Sequence, residues 1–72
     1  MAIIRSEIAG LIWKIEVVVG GEVAKGQVMI ILESMKMEIP LEATAAGRVT
    51  EVFVVQGQSV AEAEPVLRLE PL

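Results

Sequence analysis

Three stretches of the chain carry the hydrophobic pattern of β-strands. Leu11-Ile12-Trp13-Lys14-Ile15-Glu16-Val17 and Arg48-Val49-Thr50-Glu51-Val52-Phe53-Val54 are rich in β-branched residues and partly alternate apolar with polar positions. Each is followed within three residues by glycine. Val28-Met29-Ile30-Ile31-Leu32 is a continuous apolar run ahead of the polar Glu33-Ser34, which predicts a strand covered on both faces. Glu38 to Glu42 reads as a further extended stretch. Helical readings do badly: only Ser59 to Glu64 has modest helix propensity, and Pro65 stops it at the length of a turn. Gly20-Gly21, Gly26, Gly47 and Gly57 punctuate these pieces, and Gly10, Gly20, Gly26, Gly47 and Gly57 are all expected to be structural turn residues.

The strand pattern repeats. Shifted by 37 positions, Ala9-Gly10 falls on Ala46-Gly47, Val17-Val18 on Val54-Val55, Gly20 on Gly57, Val23-Ala24 on Val60-Ala61, and Leu32-Glu33 on Leu69-Glu70. Those are nine identities in the 25 positions from Ala9 to Glu33, without a gap, and pairs such as Ile12/Val49, Ile15/Val52 and Ile30/Leu67 are apolar on apolar. Two valine-rich strands could align by chance; the glycines and the spacing between strands would not align with them. The repeat predicts two similar all-β halves, about 9–33 and 46–70, neither able to bury its apolar face alone and packed about a pseudo-two-fold axis. Two copies are too few for a solenoid and point to a closed sandwich or flattened barrel.

Size and composition narrow what such a fold can do. At 72 residues the chain is expected to form one domain, residues 1–72. A chain this short buries only roughly 60% of its unfolded surface, which argues against a deep catalytic cleft. Its 54% hydrophobic content demands a compact core. No run approaches the ~18 uncharged apolar residues of a membrane span, and Met1-Ala2-Ile3-Ile4-Arg5 lacks the features of a secretory signal, so a cytoplasmic location is expected. The net charge is -4, every acid is glutamate, and only Trp13 and Phe53 could stack on bases, which argues against nucleic acid and anionic membranes as partners. Cysteine and histidine are both absent. That removes thiolate and imidazole metal ligands, cysteine nucleophiles and any Ser-His pair, leaving neither a catalytic nor a metal set.

The remaining chemistry lies in the link between the halves, Ser34 to Ala45. With one strand ending near Glu33 and the next covering Glu38 to Glu42, Ser34 to Met37 must form a tight hairpin of two to four residues. It presents Lys36 between Met35 and Met37, flanked in turn by Glu33-Ser34 and Glu38. A lysine at such a tip projects into solvent on a rigid support, within reach of another protein's active site. The tip contains no Gly, Asn or Asp for a positive-φ position, so the turn is expected to be of type I or to carry modest strain. Other readings of these residues are weaker. Lys14 and Lys25 are ordinary surface charges on a strand face and a turn; Met35 and Met37 suit surface display better than the core. Glu33 and Glu38 lack the supporting groups of a paired-carboxylate catalyst. Trp13 is a partly buried strand residue.

Glu33-Ser34-Met35-Lys36-Met37-Glu38 closely resembles the Glu-Ala-Met-Lys-Met-Glu signature of the biotinyl domains of biotin-dependent carboxylases. Val19-Gly20-Gly21-Glu22-Val23-Ala24-Lys25-Gly26-Gln27 is similar to the family's Gly-Asp-x-Val-x-x-Gly-Gln turn. Gly47-Arg48-Val49 and Gln56-Gly57-Gln58-Ser59-Val60 are similar to its Gly-x-Val and Glu-Gly-Asp-x-Val elements. The resemblance runs from about Glu7 to Glu70. It implies a flattened barrel or sandwich of two four-stranded antiparallel sheets, with the modified lysine on an exposed hairpin and the termini together at the opposite end. It implies a non-catalytic biotin carrier, resembling a biotin carboxyl carrier protein. Lys36 would be biotinylated by a biotin protein ligase, and carboxybiotin shuttled between a biotin carboxylase and a carboxyltransferase. Glu33, Ser34, Met35, Met37 and Glu38 would be recognition residues. Because the carrier must enter two active sites in turn, a monomeric domain is expected.

The departures from the family pattern concern turns. Ser34 replaces the commoner alanine, as in small stand-alone attachment proteins, and Ile8-Ala9-Gly10 lacks the proline of Ala-Pro-Met-x-Gly. Gly21 and Gln58 stand where aspartate is common, and Ala63 where the second repeat often has glycine. No insertion separates the second and third strands, so the protruding thumb of some bacterial carriers is missing. With no residues left over for linkers, the chain reads as a self-standing carrier or an excised module. A lipoyl carrier of a 2-oxoacid dehydrogenase or glycine-cleavage system shares the fold but usually shows Asp-Lys-Ala at the tip; lipoate nevertheless remains possible, as does an unmodified β-sandwich that serves as a binding module.

Overall fold

The computed structural model describes residues 2–72; Met1, counted in the expected domain, lies outside the described residues. Eight strands follow one another: β1 (Ala2–Arg5), β2 (Gly10–Ile15), β3 (Glu22–Val23), β4 (Val28–Ser34), β5 (Met37–Glu42), β6 (Gly47–Val52), β7 (Ser59–Val60) and β8 (Pro65–Pro71). They form two four-stranded antiparallel sheets, in the orders β1-β8-β6-β3 and β5-β4-β2-β7, and no helix occurs among the described residues. This is the expected all-β sandwich. Within the Ser59 to Glu64 stretch, Ser59 and Val60 are extended and only the residues after them turn.

The two sheets are the same object used twice. Moving 37 positions along the chain carries β2 onto β6, β3 onto β7 and β4 onto β8, and the sheet order with them. The backbone hydrogen bonds outside the strand ladders pair off at the same offset. The Gly20 N–H donates to the Val49 carbonyl at 2.7 Å, as Gly57 donates to Ile12 at 2.7 Å; Glu16 donates to Met29 at 2.9 Å, as Phe53 does to Val66 at 2.9 Å. The halves are interleaved rather than set side by side: β1 pairs with β8, β3 with β6 and β7 with β2. Each half therefore supplies the edges of the other's sheet, so neither can satisfy its strand edges alone.

The continuous apolar run of β4 has a different cause from the one expected. Its outer face carries no third layer, and Ile31 is only half-buried. Instead a bulge opposite β5 leaves Met29 without a partner, between Val28↔Glu42 and Ile30↔Leu41. The extra residue resets the alternation, so that the consecutive Met29 and Ile30 both point inward and are fully buried. The same device recurs in β8, where the pairing slips past Val66 and both Val66 and Leu67 are buried. Ile12, Leu32, Val49 and Leu69 join them in the core between the sheets. Each such side chain contributes about 1.5–3 kcal/mol by leaving water. The result is an elongated body of 35 × 19 × 18 Å.

A candidate modification hairpin

The ladder of β4 and β5 runs from Val28↔Glu42 to Ser34↔Met37, which leaves Met35 and Lys36 as the two residues of the turn. Both have positive φ, 52° at Met35 and 64° at Lys36. Two successive left-handed residues make a type I′ turn, so the expected type I turn is not the one formed. The physical reason is twist: in a two-residue loop only the primed turns match the right-handed twist of the flanking strands, whereas a type I turn would splay them. The alternative expectation, modest strain, is the one realised, because an L-residue in this region costs roughly 1–2 kcal/mol.

That cost is met by the support beneath the tip. β4 is an inner strand, held on one side by β5 and on the other by β2, with Leu11 opposite Glu33. Ile30, Leu32 and Leu41 root the hairpin in the core. At its base a β-carbon on Gly10 would stand 2.8 Å from the Glu33 carbonyl oxygen, closer than real contacts allow, so only glycine lets β2 lie this close to β4. Gly47 is placed identically against Glu70, at 2.9 Å. Gly10 and Gly47 are thus strand residues at a close approach, and their expected role as turn residues is corrected. Gly20, Gly26 and Gly57 do occupy turns, with φ of 91°, 86° and 91°. The position matching Gly26 in the second half is Ala63, forced to φ 70° without glycine's freedom.

The hairpin displays its side chains outward. Lys36 is exposed and makes no ion pair among the described residues. Met35 is 92% and Met37 62% exposed. Ser34 is half-buried, while Glu33 and Glu38 are exposed and stand directly opposite each other in the ladder. Two clefts in the surface lie away from the hairpin. One is lined by Ile3, Arg5, Phe53, Glu64 and Pro65, the other by Ala2, Ile4, Leu69, Pro71 and the Thr44 to Ala46 segment. The arrangement offers an unencumbered primary amine on a rigid stalk, framed by two thioethers and an acidic pair. Chemically it suits acylation by an outside active site and does not suit a substrate bound in place.

β5 also separates this tip from the chain ends. It leads from Met37 to Glu42, and the segment just beyond it lines the cleft shared by Ala2 and Pro71. Six residues at about 3.3 Å each place the lysine roughly 20 Å from the first and last strands. A family model described as biotin-requiring enzyme matches residues 2–69. The chain belongs to this biotin/lipoyl family. The biotin/lipoyl attachment protein of Bacillus subtilis is 46% identical over 63 residues, covering 88% of this chain and 86% of that protein. The biotinylated protein TB7.3 homolog of Mycobacterium leprae is 42% identical over 57 residues, covering 79% and 80%. A single-chain, multi-domain long-chain acyl-CoA carboxylase contains the same fold at a TM-score of 0.94 and 30% identity, over 99% of this chain but 7% of that one. The biotin/lipoyl fold thus occurs both as nearly the whole of a small protein and as a small part of a very large one.

Proposed function

We propose that this chain is a covalent biotin carrier and that Lys36 is its attachment site. The observation that carries the reading is a single exposed lysine at the tip of a strained, rigidly rooted hairpin, in a chain of the biotin/lipoyl family. A tethered acyl group needs an accessible amine and free space beyond it, and both are present at Lys36. Its Nζ, once deprotonated inside a biotin protein ligase, attacks the acyl carbon of the ligase's biotinyl-adenylate. An amide forms, adenylate leaves, and the amine gives up its second proton. When bound, biotin supplies the ureido nitrogen that takes up and releases carboxylate. The chain's own part is to hold Lys36 out on a long body, so that a biotin carboxylase and a carboxyltransferase each meet the group at high effective concentration. Met35 and Met37 offer adaptable apolar contact to several clefts in turn.

A second reading, lipoyl attachment at the same lysine, is favoured by the closeness to the Bacillus subtilis biotin/lipoyl attachment protein. One experiment separates the two. Intact mass is measured after co-expression with a biotin ligase and, separately, with a lipoate ligase. The carrier reading expects the biotin adduct on the wild type and none on Lys36→Arg, which keeps the charge and the fold. A lipoyl adduct alone would favour the second reading, and an adduct retained by Lys36→Arg would overturn the assignment of the site.

A further inference from the structure

The three methionines among the described residues are not distributed as a core would require. Met29 is fully buried between the sheets, whereas Met35 and Met37 are 92% and 62% exposed and lie on either side of Lys36. Exposed thioethers are among the easiest side chains to oxidise, and oxidation turns a flexible apolar group into a polar one. We propose that Met35 and Met37 form a reversible oxidation site that controls acylation of Lys36. The idea rests on the carrier reading above, because its effect is exerted on a ligase that must bury the hairpin tip.

The chemistry is self-contained given a peroxide as oxidant. The thioether sulfur donates an electron pair to the distal oxygen of hydrogen peroxide and the O–O bond breaks. The oxygen arrives on sulfur with its hydrogen, as a hydroxysulfonium; the hydroxide released removes that proton and leaves as water, and sulfur, oxidised by two electrons, becomes the sulfoxide. Nothing in the fold opposes the change at either position. Met35 is a turn residue and Met37 begins the edge strand β5, so an added oxygen meets solvent and not packed atoms. At Met29 the same oxygen would have to enter a closed core, which protects that residue while the protein is folded. Among the described methionines the fold therefore directs the modification to the two that frame the acceptor.

A sulfoxide at the tip no longer gains from leaving water, and losing the burial of one methionine side chain slows ligase-dependent uptake by about tenfold or more. The test uses the unmodified full chain treated with hydrogen peroxide, the excess removed before ligase, ATP and biotin are added. Peptide mapping is expected to find one added oxygen each on Met35 and Met37 before any on Met29, with the circular dichroism of the β fold unchanged. Biotin uptake, read by intact mass against time, falls about tenfold and is restored by methionine sulfoxide reductase. In the Met35→Leu/Met37→Leu double variant, peroxide leaves uptake at that variant's own untreated rate. Oxidation of Met29 as fast as Met35, or equal uptake before and after oxidation, would overturn the proposal while leaving the carrier reading intact. So would a peroxide effect that persists in the double leucine variant. An untreated chain that accepts no biotin would instead overturn the carrier reading and this one with it.

Discussion

At one end of the molecule β4 turns through Met35 and Lys36 into β5. At the other, the corresponding strand β8 lies beside β1, Leu69 opposite Ala2, as the last and first strands of the chain. The supports of these two ends match closely. Gly10 brings β2 against Glu33 at the hairpin end, and Gly47 brings β6 against Glu70 at the other. Bulges at Met29 and Val66 feed the same two-residue inward step into the core. What differs is only the connection, and with it the strained turn and its lysine. The scaffold thus supplies the same support to both ends, while only the hairpin end carries a turn with an exposed lysine at its tip.

The surfaces of the two sheets diverge as well, although their backbones agree. On one, Lys14 lies over the Trp13 ring at 4.7 Å. On the other, the matching region is polar: Arg68 pairs with Glu51 at 2.8 Å and lies 5.7 Å from the Phe53 ring. Glu22 and Arg48, opposite each other in β3 and β6, add a pair at 3.0 Å. The exposed Glu22–Arg48 pair contributes little to stability, and such surface positions mark where the two halves are free to differ. The hydrogen bonds and buried positions mark where they are not.

The sharpest way to break the likeness of the two ends is to fill their close approaches. Gly10→Ala and Gly47→Ala should each cost about 2 kcal/mol, since a methyl group must displace a backbone carbonyl; urea unfolding followed by tryptophan fluorescence measures this. Only Gly10→Ala should also slow biotin uptake, because only it shifts the base of the hairpin. Equal uptake by the two variants would show that the tip does not depend on the β2 contact. A matched pair of smaller changes exploits the turn where the halves disagree. Gly26→Ala should cost about 1 kcal/mol from backbone strain alone, as no atom lies within 4 Å of the added carbon. Ala63→Gly should gain about 0.5 to 1 kcal/mol at the equivalent position, the relief of strain being partly offset by glycine's unfolded entropy. Thermal midpoints that moved in the same direction would refute the correspondence.

At the tip itself, Met35→Asn should raise stability by about 0.5 kcal/mol, because asparagine tolerates the left-handed region, yet lower the rate of biotin uptake by removing a thioether. Stability and acceptance would then move in opposite directions, as expected where strain is kept for function. The smallest effect is electrostatic. Glu33→Gln removes the like-charge pair with Glu38 and should stabilise the hairpin by roughly 0.3 kcal/mol, a gain that shrinks in high salt.

Much of this was legible along the chain. The 37-residue offset, the strand cores of β2, β4 and β6, and the placing of Lys36 on a short hairpin all follow from local pattern, because alternation and glycine spacing are local properties. β1, β3 and β7 were not legible, being edge segments of two to four residues that become strands only when a partner lies alongside. Gly10 and Gly47 were read as bends. Their position at the very start of an apolar strand pattern, and not between patterns, was the signal that a neighbouring backbone comes close.

The sequence alone determined that two like halves must combine, that their apolar faces need each other, and that Lys36 falls on a short hairpin at the link between them. These follow from composition, periodicity and spacing, which do not depend on how the halves are joined. Tertiary structure decided that the halves interleave, that Met35 and Lys36 take left-handed conformations, and that consecutive residues Met29 and Ile30 both face inward. Each of these is set by strand twist and by the pairing of strands distant in sequence. Those forces exist only once the sheets have formed, and no local pattern of residues can encode them by itself.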